Sequence, residues 1–321
     1  MRKIIKTLLG IGGAFCLIGA LLFSIGFTSG GTKYVHDTNL NSMNAQEDNK
    51  ESANRFTLKK TEIPDFTSLN INLEDSDLNI EESPNEKSYI EYAQATKDKK
   101  NPVSYSIENG TLTLKEAGNT GASYYINVDI SFLQAAFSSK NIEDYTKESS
   151  KYENYVTLYL PKDKLVSSAK IYLGYGDFYV KNAAFDTINI KLDDGDFDAN
   201  TLTANSGKLT LSYGDFDLQK ASLGNISLTS KDGDLTVNEL TLSGKTKIAL
   251  SYGDTEITLN DSTKKVSGFD LATHYGTITA SGLNGNKTVD EDDDVNTFQS
   301  DSKDGKTKLA IDSKDGDITI K

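Results

Sequence analysis

The chain has 321 residues, a formal net charge of −13, one cysteine, two histidines, four prolines and no tryptophan. A lone cysteine excludes an intrachain disulfide, and the acidic balance excludes a nucleic-acid-binding surface; it favours cations or cationic partners, or simply keeps an extended surface soluble. The scarcity of proline leaves room for long, uninterrupted β-structure.

Arg2, Lys3 and Lys6 precede an apolar run of 20 residues, 8–27, broken only by small residues and Ser24. A helix of that length rises about 30 Å, the thickness of a bilayer core. The basic flank places the N-terminus in the cytoplasm and the rest of the chain outside. Residues 1–28 are therefore expected to form a signal anchor, a single transmembrane helix, with the C-terminal domain extracytoplasmic at the cell membrane. The rival is secretion after signal cleavage, at sites that end on Gly26 or Gly30. A lipoprotein is disfavoured because Phe15, immediately before Cys16, is bulky where a small residue is needed. Residues 29–55 are polar and without periodicity, and read as a flexible tether.

From about residue 56 the pattern changes to strict alternation. Leu69, Ile71 and Leu73 run into the polar turn Glu74-Asp75-Ser76-Asp77, and Leu78 and Ile80 follow. Further strands are expected over 88–92, 103–107 and 111–114, the last after an Asn109-Gly110 turn. The stretch 131–154 reads as an insertion, with a short helix predicted around Phe132 to Phe137. A strand over 155–160 is stopped by Pro161.

The clearest repeats lie within 165–321. Ile171-Tyr-Leu-Gly-Tyr-Gly-Asp-Phe-Tyr-Val180 recurs as Ile190-Lys-Leu-Asp-Asp-Gly-Asp-Phe197 and as Leu209-Thr-Leu-Ser-Tyr-Gly-Asp-Phe-Asp-Leu218. The turn glycines fall at 176, 195, 214, 233, 253, 276 and 316, so successive spacings are 19, 19, 19, 20, 23 and 40. A fixed period near 20 with two short strands per unit signals stacked β-structure. The fold class is all-β, with residues 56–321 forming one β-repeat domain. A β-solenoid, one coil per unit, is expected; the alternative is a sandwich or meander in which each unit is a hairpin. The chain ends on a repeat unit, which is read as leaving no wall-sorting tail or second span.

The order of these features resembles a bacterial surface family, the "putative adhesin" domain of unknown function found in β-strand-repeat proteins. The resemblance rests on the unit from Ile71 to Ile80, the strand Gly110-Thr-Leu-Thr-Leu114, the motif Leu158-Tyr-Leu-Pro161 and the serial Tyr/Asp-Gly-Asp units, and it covers about 56–321. It implies a solenoid-like β-domain without established catalytic residues. Anchored proteins of this kind also occur among bacterial cell-envelope stress genes. The segments 131–154 and 286–305 are longer than the family pattern.

Two residue series are candidates for function. Asp177, Asp196, Asp215, Asp234, Asp254 and Asp317 follow the glycines; in register they would form a carboxylate ladder that a cation such as Ca²⁺ could relieve. The units lack the Gly-Gly-x-Gly-x-Asp turns of calcium-binding β-rolls, and the plainer reading makes each aspartate a turn former bonded to its own backbone. Tyr175, Tyr213, Tyr252 and Tyr275 precede the glycines and are read as a ridge that stacks on sugars or meets a partner; the plainer reading is cross-strand packing. Asp290, Asp292, Asp294 and Asp301 imitate a calcium loop in part, but Val295 stands where glycine is required. Ser243-Gly-Lys-Thr246 lacks the first glycine of a phosphate loop, whose place holds Glu239. No histidine is placed as a base for a nucleophile: His36 lies in the tether and His274 beside a turn.

The reading is a membrane-anchored surface protein, not an enzyme and without cofactor, that binds a cell-wall polymer, glycan or envelope protein. The alternative is a structural or regulatory protein of the envelope stress response that meets membrane partners or cationic peptides. A secreted hydrolase on a β-helix has no positive support.

Overall fold

The computed structural model describes residues 54–96, 101–117, 154–290 and 294–321. The 8–27 run, most of the tether and the predicted helix near Phe132 lie outside these residues. Among the described residues no helix is long and apolar enough to cross a membrane. They belong to one compact unit, Asn54–Lys321, built almost entirely of strands.

The pairing decides between coil and hairpin. The strand before each turn glycine does not pair with the strand after it. Leu165–Tyr175 instead runs parallel to Ala183–Asp194, with Ile171 opposite Ile190 and Leu173 opposite Leu192. Ala183–Asp194 runs parallel to Phe197–Tyr213 in the same way, with Ile190 opposite Leu209. After the turn, Phe178 faces Phe197 and Phe197 faces Phe216. Every register advances by one repeat, so each unit is a coil laid parallel on its neighbour, and the meander of hairpins is excluded. Stacked strands lie about 4.8 Å apart, and the rings of Phe178 and Phe197 stack with centroids 4.8 Å apart.

Alternation sends every second residue inward, so stacking turns each inward position into a column. One column reads Ile71, Ile171, Ile190, Leu209, Leu228, Ile248, Ile311 and Leu271, all buried. Past the turn a second reads Leu78, Phe178, Phe197, Phe216, Leu235, Thr255, Ile318 and Ile278, also buried.

These columns follow the order of the stack, which departs from chain order at both ends. At the N-terminal end, Ser68–Leu73 and Asp77–Glu82 form a coil that sits on the Gly176 coil, with Ile71 opposite Ile171 and Leu78 opposite Phe178. Thr111–Glu116 covers one side of it and Tyr155–Leu160 the other. Antiparallel strands then close both sides. Val103–Glu108 joins Thr111–Glu116 through Asn109 (φ 50°) and Gly110 (φ 74°), the left-handed pair of a type I′ turn. Ser88–Thr96 and Asn54–Ile63 close the opposite side, so strand structure begins at Asn54, just inside the expected tether.

At the other end the last coil in the chain is not the last in the stack. Lys308–Asp315 and Ile318–Ile320 lie between the Gly253 coil and the Gly276 coil, Ile311 facing Ile248 on one side and Leu271 on the other. The chain between Leu259 and Gly268 therefore steps over one coil. A six-residue helix, Asp261–Val266, makes this link; Asn260 caps it, its Oδ1 accepting the Thr263 N–H at 2.8 Å. Beyond the Gly276 coil, Val295–Ser300 and Asn286–Asp290 form an antiparallel hairpin. Of the acidic stretch that imitated a calcium loop, Asp290 ends the first of these strands and Asp294 precedes the second, with no helix beside them among the described residues; Asp292 lies outside those residues.

Candidate binding ridge

Both candidate series lie on the turns. A Cβ built on Gly214 would meet the Gly195 carbonyl oxygen at 2.2 Å, and one on Gly233 the Gly214 oxygen at 1.9 Å. Contacts of 2.0–2.4 Å recur at Gly176, Gly195, Gly253, Gly276 and Gly316. Positive φ adds to the demand at Gly195, Gly214, Gly233, Gly253 and Gly316, but not at Gly176 or Gly276, where the close approach alone requires glycine. The exception is the first turn, which carries Ser76; among the described residues no Gly-Asp turn stacks on its outer side.

The six aspartates form one column, as the period requires, but they do not bond their own turns. The Oδ1 of each accepts the backbone N–H of the residue at the same position on the next coil, an aspartate in every case but the last. Asp77 receives Asp177 at 2.9 Å, Asp177 receives Asp196 at 2.9 Å, and Asp196 receives Asp215 at 2.9 Å. Asp215 receives Asp234 at 2.7 Å, Asp234 receives Asp254 at 2.8 Å, and Asp254 receives Asp317 at 2.8 Å. Asp317 receives Thr277 at 2.8 Å. Each carboxylate thus satisfies a turn amide, and charge-assisted bonds of this kind are stronger than neutral ones. The column ends on Thr277, beyond which no further Gly-Asp turn stacks among the described residues. Its field is felt nearby: burial first, then Asp217, Asp196, Asp177 and Asp215, hold the Asp198 carboxyl above the usual carboxylate range. Among the described residues no cluster of three or more metal-ligating side chains is disposed to hold a metal ion.

The tyrosine series is exposed. Tyr275 is 66% accessible, Tyr252 61%, Tyr175 58% and Tyr213 57%, the four highest values among the large hydrophobic side chains described. Cross-strand packing does not account for them, because their stacking neighbours are aspartates. Tyr175 and Tyr213 flank Asp194, and Tyr213 and Tyr252 flank Asp232. Tyr275 pairs with Asp315, whose carbonyl accepts the Gly253 N–H at 3.1 Å from the other side. In space the tips therefore run Tyr175, Asp194, Tyr213, Asp232, Tyr252, Asp315, Tyr275. Chain order would place Tyr252 beside Tyr275; the inserted C-terminal coil puts Asp315 between them and keeps the alternation unbroken.

Two sequence units account for four of the seven tips. Leu-Ser-Tyr-Gly-Asp occurs at 211–215 and 250–254, and Ser-Lys-Asp-Gly-Asp at 230–234 and 313–317. Two residues before Tyr175, Tyr213 and Tyr252 a leucine points inward, and before Tyr275 the buried Thr273 does; in the two Ser-Lys-Asp units a buried serine does, Ser230 or Ser313. Between two long tyrosines a short aspartate leaves a notch. The notch over Asp315 is an open cleft of about 480 Å³ lined by Tyr252, His274, Tyr275, Asp312, Lys314 and Asp315. His274 was expected beside a turn and is found there, its Nδ1 3.4 Å from the Ser313 carbonyl oxygen. His36 lies outside the described residues. Of Ser243-Gly-Lys-Thr246, the first two residues link strands and the last two begin the strand Lys245–Tyr252, with Thr246 Oγ1 donating to the Gly224 carbonyl at 2.9 Å.

Fold and ridge define a class: an open, parallel-stacked β-repeat protein whose turns make one regular polar–aromatic edge. A family model described as Toastrack DUF4097 matches residues 66–321, and the chain belongs to that family. This agrees with the resemblance read from the repeat units. Solved structures with a similar trace include a "putative adhesin" from Bacteroides fragilis (11% identity, 84% of this chain and 97% of that one, TM-score 0.40). Others are a "putative adhesin" from Parabacteroides merdae (13%, 83% and 96%, TM-score 0.41) and a "putative cell adhesion protein" from Clostridium sporogenes (14%, 82% and 99%, TM-score 0.36). No match is found among curated proteins.

Proposed function

We propose that this protein is a membrane-anchored, extracytoplasmic binding module that performs no catalysis and uses the tyrosine–aspartate edge as its contact surface. One observation carries the reading: the four most exposed large hydrophobic side chains described stand in one line, on turns that glycine contacts and an aspartate ladder hold rigid. A rigid aromatic array loses little entropy on contact, which suits recognition. The domain division that goes with it is an anchor over 1–28, a tether over 29–55 and the β-repeat domain over 56–321. The apolar run behind Arg2, Lys3 and Lys6 supports the anchor.

The test combines topology with binding. In cells the chain is expected in the carbonate-washed membrane fraction, and external protease should release the β-repeat domain from intact protoplasts. Whole-cell capture of envelope material should fall when Tyr175, Tyr213, Tyr252 and Tyr275 are all replaced by alanine. Release of the full chain into the medium would overturn the anchor. Undiminished capture by the quadruple variant would overturn the ridge as contact surface.

A further inference from the structure

The ridge repeats every two coils, about 9.6 Å, so its ligand must repeat at the same distance. Seven successive tips, from Tyr175 to Tyr275, carry four tyrosines and three aspartates in strict alternation. Two polymers approach this pitch. A polyproline-type peptide turns once in three residues, about 9.3 Å. An extended β-linked polysaccharide advances by close to one coil per sugar ring, and every second ring presents the same face.

The floors of the notches decide between them. Lys231 precedes Asp232 and Lys314 precedes Asp315 in identical units, while the Lys191 ammonium lies 2.6 Å from Asp193, next to Asp194. The notch over Asp315 adds His274 and Asp312. Each floor therefore combines carboxylate acceptors with a lysine donor, one lysine against one or two aspartates. A polycation would meet the lysines and a polyanion the aspartates. A proline-rich chain, poor in donors, would leave covered carboxylates unpaired, a costly outcome. A sugar ring both donates and accepts through its hydroxyls, and its apolar face stacks on an aromatic ring.

Resting on the proposed binding role, we infer that the ridge binds an extended, uncharged β-linked glycan, one ring per coil. Tyr175, Tyr213, Tyr252 and Tyr275 stack on alternate rings, and Asp194, Asp232 and Asp315 accept hydroxyl hydrogen bonds from the rings between. The C-terminal coil is part of this site, since without Asp315 the last two tyrosines would fall on adjacent rings.

The test uses the full chain in phospholipid nanodiscs, free of sugar-based detergent, and calorimetric titration with cello- and N-acetylchito-oligosaccharides of increasing length. Affinity should climb as the oligomer grows from three rings to the seven that span Tyr175 to Tyr275, then level off, with little dependence on added salt. Tyr213→Ala and Tyr252→Ala should each weaken the longest oligomer roughly three- to tenfold. Tyr105→Ala, off the ridge, should change nothing, and melting of all three variants should match the parent. Length-independent binding, or equal binding by Tyr213→Ala, overturns the inference. Salt-sensitive binding of a lysine-bearing polyproline peptide, with the same tyrosine dependence and no glycan binding, overturns the glycan and leaves the ridge as contact surface. Cell capture that ignores the quadruple tyrosine variant overturns both.

Discussion

From Tyr175 to Asp254 the chain climbs one coil per repeat, whereas from Thr255 to Lys321 it steps over a coil, turns back and fills the gap. The first region obeys a local rule: each turn needs glycine toward the coil below it and an amide acceptor toward the coil above. The second region is governed by a boundary. A coil at the end of a stack has no neighbour on one side, and its open strand edges must be covered. The consensus lapses where its reason lapses: among the described residues no Gly-Asp turn lies below Ser76 and none above Thr277. The hairpin of Asn286–Asp290 and Val295–Ser300 covers the end that the repeats cannot cover for themselves.

Substitutions that treat the two regions differently would sharpen or break this contrast. The largest effect is expected for Gly233→Ala in the regular stack, where a Cβ would fall 1.9 Å from a carbonyl oxygen at φ 137°. Steric strain and overpacking together should cost about 3 kcal/mol or more in denaturant unfolding. The reverse exchange at the boundary, Ser76→Gly, should be close to neutral; a loss as large as that of Gly233→Ala would refute the rule. Next come Ile190→Ala and Ile311→Ala, buried in the same column, each costing about 2–5 kcal/mol. They should differ in amide hydrogen exchange: Ile311→Ala should loosen residues 268–300, which rest on the inserted coil, and leave 54–117 protected. Uniform loosening would mean that the insertion is no weak point. Smaller again is the ladder: Asp215→Ala should cost about 1 kcal/mol by stranding the Asp234 amide, and Asp215→Asn less because it keeps an acceptor. Thr277→Asp, with no amide above it, should add nothing. Calcium should not raise the melting temperature of the parent more than that of Asp215→Asn; a larger rise would favour a metal on the ladder.

The smallest effect is a pH dependence at the N-terminal end. Glu116 is buried, and its Oε2 accepts the N–H groups of Glu74 at 2.8 Å and Asp75 at 3.0 Å, an acceptor for the first turn from outside the repeat. Burial pushes its carboxyl above the usual glutamate range, and the two amide bonds offset this only in part. The folded protein therefore holds this proton more tightly than the unfolded chain. The stability it contributes is complete below the ordinary glutamate pKa and is lost as pH rises through the folded value. Glu116→Gln should leave melting unchanged at low pH and raise it modestly at neutral pH; a melting point lowered at neutral pH would contradict this sign.

The alternation of Ile171, Leu173, Phe178 and Val180 showed the inward face, and the spacing of the glycines showed the unit. Both depend on local geometry, which a short segment carries within itself. The two series at the turns were visible as series for the same reason. Their bonds were not: the aspartates bind the next coil rather than their own, because parallel stacking brings a neighbour's amide within 2.7–2.9 Å of each carboxylate. Ser302-Lys-Asp-Gly305 shares four residues with the two ladder units but is followed by Lys306 instead of aspartate, which sets it outside the repeat; its Asp304 closes a turn by accepting the N–H groups of Lys306 and Thr307.

The sequence by itself thus determined an acidic, disulfide-free β-repeat with glycine turns, since backbone sterics and side-chain alternation act over a few residues. Only the tertiary structure decided the order of the coils, because edge coverage is satisfied between segments far apart in the chain. That order, with Asp315 set between Tyr252 and Tyr275, turns a list of tips into a ridge of constant period.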